Sequence, residues 1–190
     1  ISMVSSDDGI NAGGGNDGSG MAGPWGGGFE AATDAYIHIC GGTLIMNAGG
    51  DGIDSNGDLT VSGGAVYLDG PTNGGNGALD YAGEGKVTGG IVIALGSVGM
   101  ASNFGSSSTQ GAILCSVSSN APAGTLVSVT DESGKVLASY TSQKQFQSVL
   151  ISAPGMVKGG TYTVSVGSAS TEVTLTTIVY GSSGGPGGPG

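Results

Sequence analysis

Acidic side chains recur in Gly- and Asn-rich turns through the first half of the chain, as Asp7-Asp8-Gly9, Asp51-Gly52-Ile53-Asp54 and Asp54-Ser55-Asn56-Gly57-Asp58. Carboxylates, amide oxygens and turn carbonyls are the hard oxygen ligands that calcium takes, six to eight at a time and in flexible geometry. The last run places oxygen-bearing side chains at alternate positions around a glycine, like the front half of a calcium loop. It has no distal bidentate Glu, so further ligands must come from a neighbouring segment. Asp7, Asp8, Asp51, Asp54, Asn56, Asp58, Asn76 and Asp80 form the candidate metal set. The competing reading is that Asp and Asn serve here only as turn formers.

Charge distribution favours the cation. Residues 1–84 hold eleven acids and no Lys or Arg, whereas residues 85–190 hold three acids and all four lysines. Uncompensated repulsion of that density opposes a compact state. Without any Arg or a basic patch, the footprint for binding phosphate backbones is missing, which argues against a nucleic-acid partner. No apolar stretch nears the ~20 residues of a membrane span.

Catalytic constellations are weak. Lys86 is the only base among the acidic turns and reads as solvent-facing, and His38 between Ile37 and Ile39 reads as an ordinary strand residue. Nothing resembles a nucleophile elbow. Carboxylate pairs for glycoside hydrolysis are too numerous to single one out. No catalytic residue is assigned. Cys40 and Cys115 lack metal or redox spacing and read as buried thiols or as one disulfide. Aromatic residues that could stack on sugars are Trp25, Tyr67 and Tyr81, with Asn73 as a polar companion.

The elements that must position these residues repeat. A Gly-Gly pair inside an apolar alternating run recurs at Gly41-Gly42, Gly63-Gly64 and Gly89-Gly90, spaced by 22 and then 26 residues. Between the pairs lies a second element, at Ile10, Ile53, Leu79 and a worn version at Met100. A unit of this length, built of short strands and Gly/Asn/Asp turns, matches one coil of a parallel β-helix, in which equivalent apolar residues stack. The predicted fold is therefore all-β, a right-handed parallel β-helix over residues 1–109 with a Gly-rich loop insertion at 13–35. A small antiparallel β cap is predicted over 110–180, and a flexible Gly/Pro tail over 181–190.

The ordered set from Ser5 to Ala12, Gly50 to Gly57 and Gly70 to Tyr81, with the Gly-Gly strands, resembles the bacterial carbohydrate-binding β-helix family of polysaccharide-lyase-like architecture. The resemblance covers about residues 4–103. It implies a secreted or surface-attached, non-catalytic protein that binds calcium in its turns and holds cellulose-like or acidic polysaccharide. Such family members carry further N-terminal coils, so the chain reads as their C-terminal portion. The alternative is a structural subunit of an extracellular filament or matrix, self-associating through an open β-helix end.

Overall fold

The computed structural model describes residues 1–13 and 34–181. Trp25 lies outside them. Three short segments, β1 (Ser2–Ser5), β2 (Ile10–Ala12) and β4 (Ile53–Ser55), accompany three long strands, β3 (Tyr36–Ala48), β5 (Asp58–Asp69) and β7 (Gly85–Gly96), with β6 (Leu79–Tyr81) between the last two. The C-terminal part contributes β8 (Ala112–Ala121), β9 (Leu126–Asp131), β10 (Val136–Thr141), β11 (Phe146–Ser152), β12 (Thr161–Val166), β13 (Ala169–Thr174) and β14 (Val179–Tyr180).

Among the described residues these strands form a seven-stranded mixed sheet, β1-β3-β5-β7-β11-β8-β14, a four-stranded antiparallel sheet, β10-β9-β12-β13, and a three-stranded parallel sheet, β2-β4-β6. This corrects the expected closed parallel β-helix with a separate cap. The long sheet does not end where the parallel strands end: β11 pairs antiparallel with β7, from Ser148 opposite Gly96 to Ser152 opposite Val92. A further reason lies in the Gly-Gly pairs. They fall within single long strands, as bulges where the β3/β5 and β5/β7 registers shift, so the apolar runs on either side belong to one sheet.

At those bulges the requirement for glycine is strict. Gly64 has φ +84°, and a Cβ there would stand 2.7 Å from the Gly41 carbonyl carbon and the Gly42 oxygen. A left-handed backbone and backbone-to-backbone approach both exclude a side chain. Stacking glycine on glycine is how successive strands keep register through the bend.

Alternation then sorts the side chains. Leu44, Val66 and Val92 stand in register across β3, β5 and β7 and are buried on one face. Ile10, Ile53 and Leu79 form the matching column of the short sheet, while Met100 lies in a turn outside it. These columns belong to one core cluster. The opposite face of the long sheet carries Ile93 and Leu95, which join Val127, Val129, Ile151 and Tyr162 in a second cluster. Burial at roughly 25 cal/mol per Å² of apolar surface makes these two cores the main source of stability.

A hairpin turn at Glu132-Ser133-Gly134-Lys135 joins β9 to β10. Asp131 caps it by accepting from Ser133 N, Ser133 Oγ and Lys135 N, and these bonds hold its carboxyl below the usual range. Both cysteines are free thiols; Cys40 is exposed and Cys115 half-buried, so the expectation that both fill core positions holds for neither fully.

Candidate functional site

The parallel register of the short sheet builds an acidic site from residues remote in sequence. Asn11, Asp54 and Asp80 stand opposite one another across β2, β4 and β6. Their positions alternate with the inward Ile10–Ile53–Leu79 column, of which Ile53 and Leu79 are buried and Ile10 half-buried, so this second column faces outward. Asp8 and Asp51 lie in the turns leading into β2 and β4, and these turns are themselves tied together, Gly9 N donating to Asp51 O at 2.8 Å.

One oxygen each of Asp8, Asp51 and Asp54 comes within 4.8 Å of the others, and this triad can hold a metal ion. Backbone donors fix the carboxylates: Asp51 N donates to Asp8 Oδ1 at 2.9 Å and Gly77 N to Asp51 Oδ1 at 2.6 Å. The Asn11 amide bridges the remaining pair, Nδ2 lying 3.2 Å from Asp8 Oδ2 and 2.7 Å from Asp54 Oδ2. Gly50 makes room for the acids, since a Cβ there would sit 2.4 Å from Asp8 Oδ1 and 2.9 Å from Asp7 Oδ1.

Crowding marks the electrostatics. Burial and the neighbouring carboxylates of Asp80, Asp51 and Asp8 push the Asp54 carboxyl up to about 6. Asp51 is also raised, first by burial and then by Asp80, Asp8 and Asp7, against the lowering effect of the Gly77 N–H. A group whose folded value lies above its unfolded one keeps its proton while the unfolded chain loses it. Asp54 therefore withdraws stability as pH rises from about 4 to about 6. The metal-free protein should show a melting temperature that falls across this window, and Asp54→Asn should flatten that fall. Because the group is partly exposed and screened, the gain expected for the variant at pH 7 is about 1 kcal/mol. An unaltered pH dependence of melting in Asp54→Asn would overturn the assignment.

The other expected metal residues are dispersed around this centre. Asp7 adjoins it and Asp80 ends the outward column. Asp58 Oδ1 instead accepts from Glu84 N at 2.8 Å, and Asn56 donates to Gly13 O at 3.1 Å. Asn76 gives its carbonyl to Ser97 Oγ. The run from Asp54 to Asp58 does not wrap one ion: Ser55 is buried, and its hydroxyl donates to Asp58 O and accepts from Gly57 N. Asn11 was not foreseen, although Asp8-Gly9-Ile10-Asn11 aligns with Asp51-Gly52-Ile53-Asp54 and so places it beside Asp54.

The expected sugar-stacking residues are not gathered. Tyr67 stacks on Tyr140 with ring centroids 4.9 Å apart. Tyr81 packs on the first core and donates to Asn103 O, and burial, with the Asp80 charge, pushes its phenol up to about 12. Asn73 closes an exposed turn by accepting from Gly75 N. Among the described residues the most exposed aromatic ring is that of Tyr36, 71% exposed. It lies opposite Asp58, near the start of a polar row in which His38, Thr60 and Lys86 are in register. There His38 Nε2 is 2.7 Å from Ser62 Oγ, and Lys86 pairs with Glu84 at 3.7 Å.

No family model matches the chain, and neither curated proteins nor solved structures give a match. The functional reading therefore rests on these residues.

Proposed function

We propose that this chain is an extracellular, non-catalytic calcium-binding protein that holds acidic polysaccharide through the ion at its acidic turns. The observation that supports this most is the convergence of Asp8, Asp51 and Asp54 on one point from two stacked turns and a strand. All three groups are oxygen donors, the ligand class of calcium rather than of zinc or copper. Three carboxylates fill fewer than half to half of calcium's six to eight positions, which leaves places for water, backbone and the carboxylate or hydroxyl oxygens of a glycan. A bound dication also relieves the mutual repulsion that, after burial, raises Asp54 and Asp51. The exposed Tyr36 row offers a flat polar surface on which a sugar ring can stack.

The experiment is calorimetric titration of chelator-treated protein with calcium chloride, followed by retention on polygalacturonate and on cellulose with calcium or with chelator. Calcium at about 100 times its dissociation constant should stabilise the fold by about 2.7 kcal/mol. Retention on polygalacturonate should require calcium and fail in Asp51→Asn. Absence of any calcium heat or melting shift would sink the reading.

A further inference from the structure

Six peptide bonds among the described residues join Asn or Asp to a following glycine, the pairing in which a side chain most readily closes on its own backbone. Closure requires the glycine nitrogen to reach the side-chain carbonyl carbon, and glycine permits the necessary backbone rotation. Five of the six nitrogens are held by other acceptors. Gly9 N donates to Asp51 O at 2.8 Å, Gly52 N to Gly77 O at 3.1 Å and Gly70 N to Leu95 O at 2.7 Å. Gly57 N donates to Ser55 Oγ at 3.3 Å, and Gly77 N to Asp51 Oδ1 at 2.6 Å. Rotating any of these five towards the preceding side chain breaks a bond that ties two segments or a turn together.

The sixth pair, Asn73-Gly74, is arranged in the opposite way. Gly74 N has no acceptor among the described residues, and both residues are exposed. A Cβ on Gly74 would meet nothing within 4 Å. Here the electrophile is fixed instead. Gly75 N donates to Asn73 Oδ1 at 3.0 Å, which folds the side-chain amide back over the peptide bond that follows it. That N–H also draws electron density from Cγ, and it meets the negative charge that gathers on Oδ1 as a nitrogen adds to the carbonyl.

We infer that Asn73 is a site of spontaneous covalent modification, at which the folded chain converts this asparagine to aspartate and isoaspartate while protecting Asn56 and Asn76. Gly74 N gives up its proton and attacks Asn73 Cγ, forming the ring C–N bond. The Cγ–Nδ2 bond then breaks, and the amide nitrogen leaves as ammonia with that proton. Water opens the resulting succinimide at either carbonyl: at Cγ it yields aspartate, and at the backbone carbon it yields isoaspartate. The only co-reactant is water, and nothing is oxidised or reduced. Either product adds one negative charge to a chain of net charge −10. Isoaspartate also inserts a methylene into the backbone of a turn packed on Gly99, where a Cβ would already stand 2.6 Å from Gly74 O. The inference does not depend on the metal reading.

The full chain, incubated in mildly alkaline buffer with chelator, should develop a more acidic form on anion exchange. Fragment-ion mass spectrometry should place its one-unit mass gain at Asn73, and isoaspartyl methyltransferase should label it. In urea, where the five bonds are gone, Asn56 and Asn76 should react about as fast as Asn73. Gly74→Ala, at a position with open space, should slow the folded reaction several-fold, and Asn73→Ser should abolish the acidic form at early times. Modification of Asn56 or Asn76 before Asn73 in the folded chain would overturn the inference. So would an Asn73 that is protected by folding as strongly as the other two.

Discussion

Ile53→Asp is expected to abolish the native fold or to cost at least about 5 kcal/mol, the order of a whole domain's stability. Ile53 is fully buried at the centre of the short parallel sheet, with Ile10 on one side and Leu79 on the other. Two effects add. Removing the side chain forfeits about 2–3 kcal/mol of apolar burial and leaves a void between fixed neighbours. The incoming carboxylate has no partner in that column and cannot ionise there without a large desolvation cost. Its neighbours in sequence, Asp51 in the preceding turn and Asp54 in the strand, already carry raised values, so a further acid between them adds repulsion. Ile53→Val is the control and should cost only about 1 kcal/mol. Urea unfolding followed by circular dichroism separates the cases, and a well-folded Ile53→Asp protein would show that this column is not part of the core.

That column is also where the sequence was most legible. Ile10, Ile53 and Leu79 share a local pattern, an apolar residue two or three places before a turn, and the pairing of those segments followed from the pattern alone. The Gly-Gly recurrence was equally readable, because a left-handed backbone packed against backbone tolerates nothing larger. What the repeat did not disclose was that each glycine pair bends one strand and does not separate two, which is why a closed helix was expected and a mixed sheet is found. Which acids converge was also only partly readable. Their abundance in turns was plain, but membership depends on register: it brings Asn11 between Asp8 and Asp54 and leaves Asp58 bound to Glu84 N. Tyr67 was read as a ring on which sugar could stack. That its face would be covered could not be read, because the covering residue, Tyr140, lies on a strand more than seventy residues later.

The covering is held by a buried acid, and its removal should be costly. Asp69, 2% exposed at the end of β5, accepts from Tyr140 O–H at 2.5 Å and from Gln143 N at 2.9 Å. Next to it Lys144 donates to Ala48 O, so the β10–β11 turn is fastened to the ends of both β3 and β5. Burial depresses Lys144, and the Asp69 charge opposes that depression. Asp69→Ala leaves the Tyr140 hydroxyl proton and the Gln143 N–H without their acceptor and deprives Lys144 of its nearby anion. Both donors are only part-buried, so at the low end of about 1–3 kcal/mol for each abandoned donor a loss of about 2–3 kcal/mol is expected. Asp69→Asn retains one good acceptor and should cost about half as much. Tyr140→Phe removes a single bond and should cost about 1 kcal/mol. The Tyr140 phenol provides a readout that simple loss of packing would not move. Burial and then the Asp69 hydrogen bond hold it above the usual tyrosine range, so its ultraviolet titration should fall part of the way back in Asp69→Asn. A double-mutant cycle between Asp69→Ala and Tyr140→Phe should give a coupling of at least about 1 kcal/mol. Additive losses would mean that the acid supports the turn through Gln143 alone, with the tyrosine merely stacked upon Tyr67.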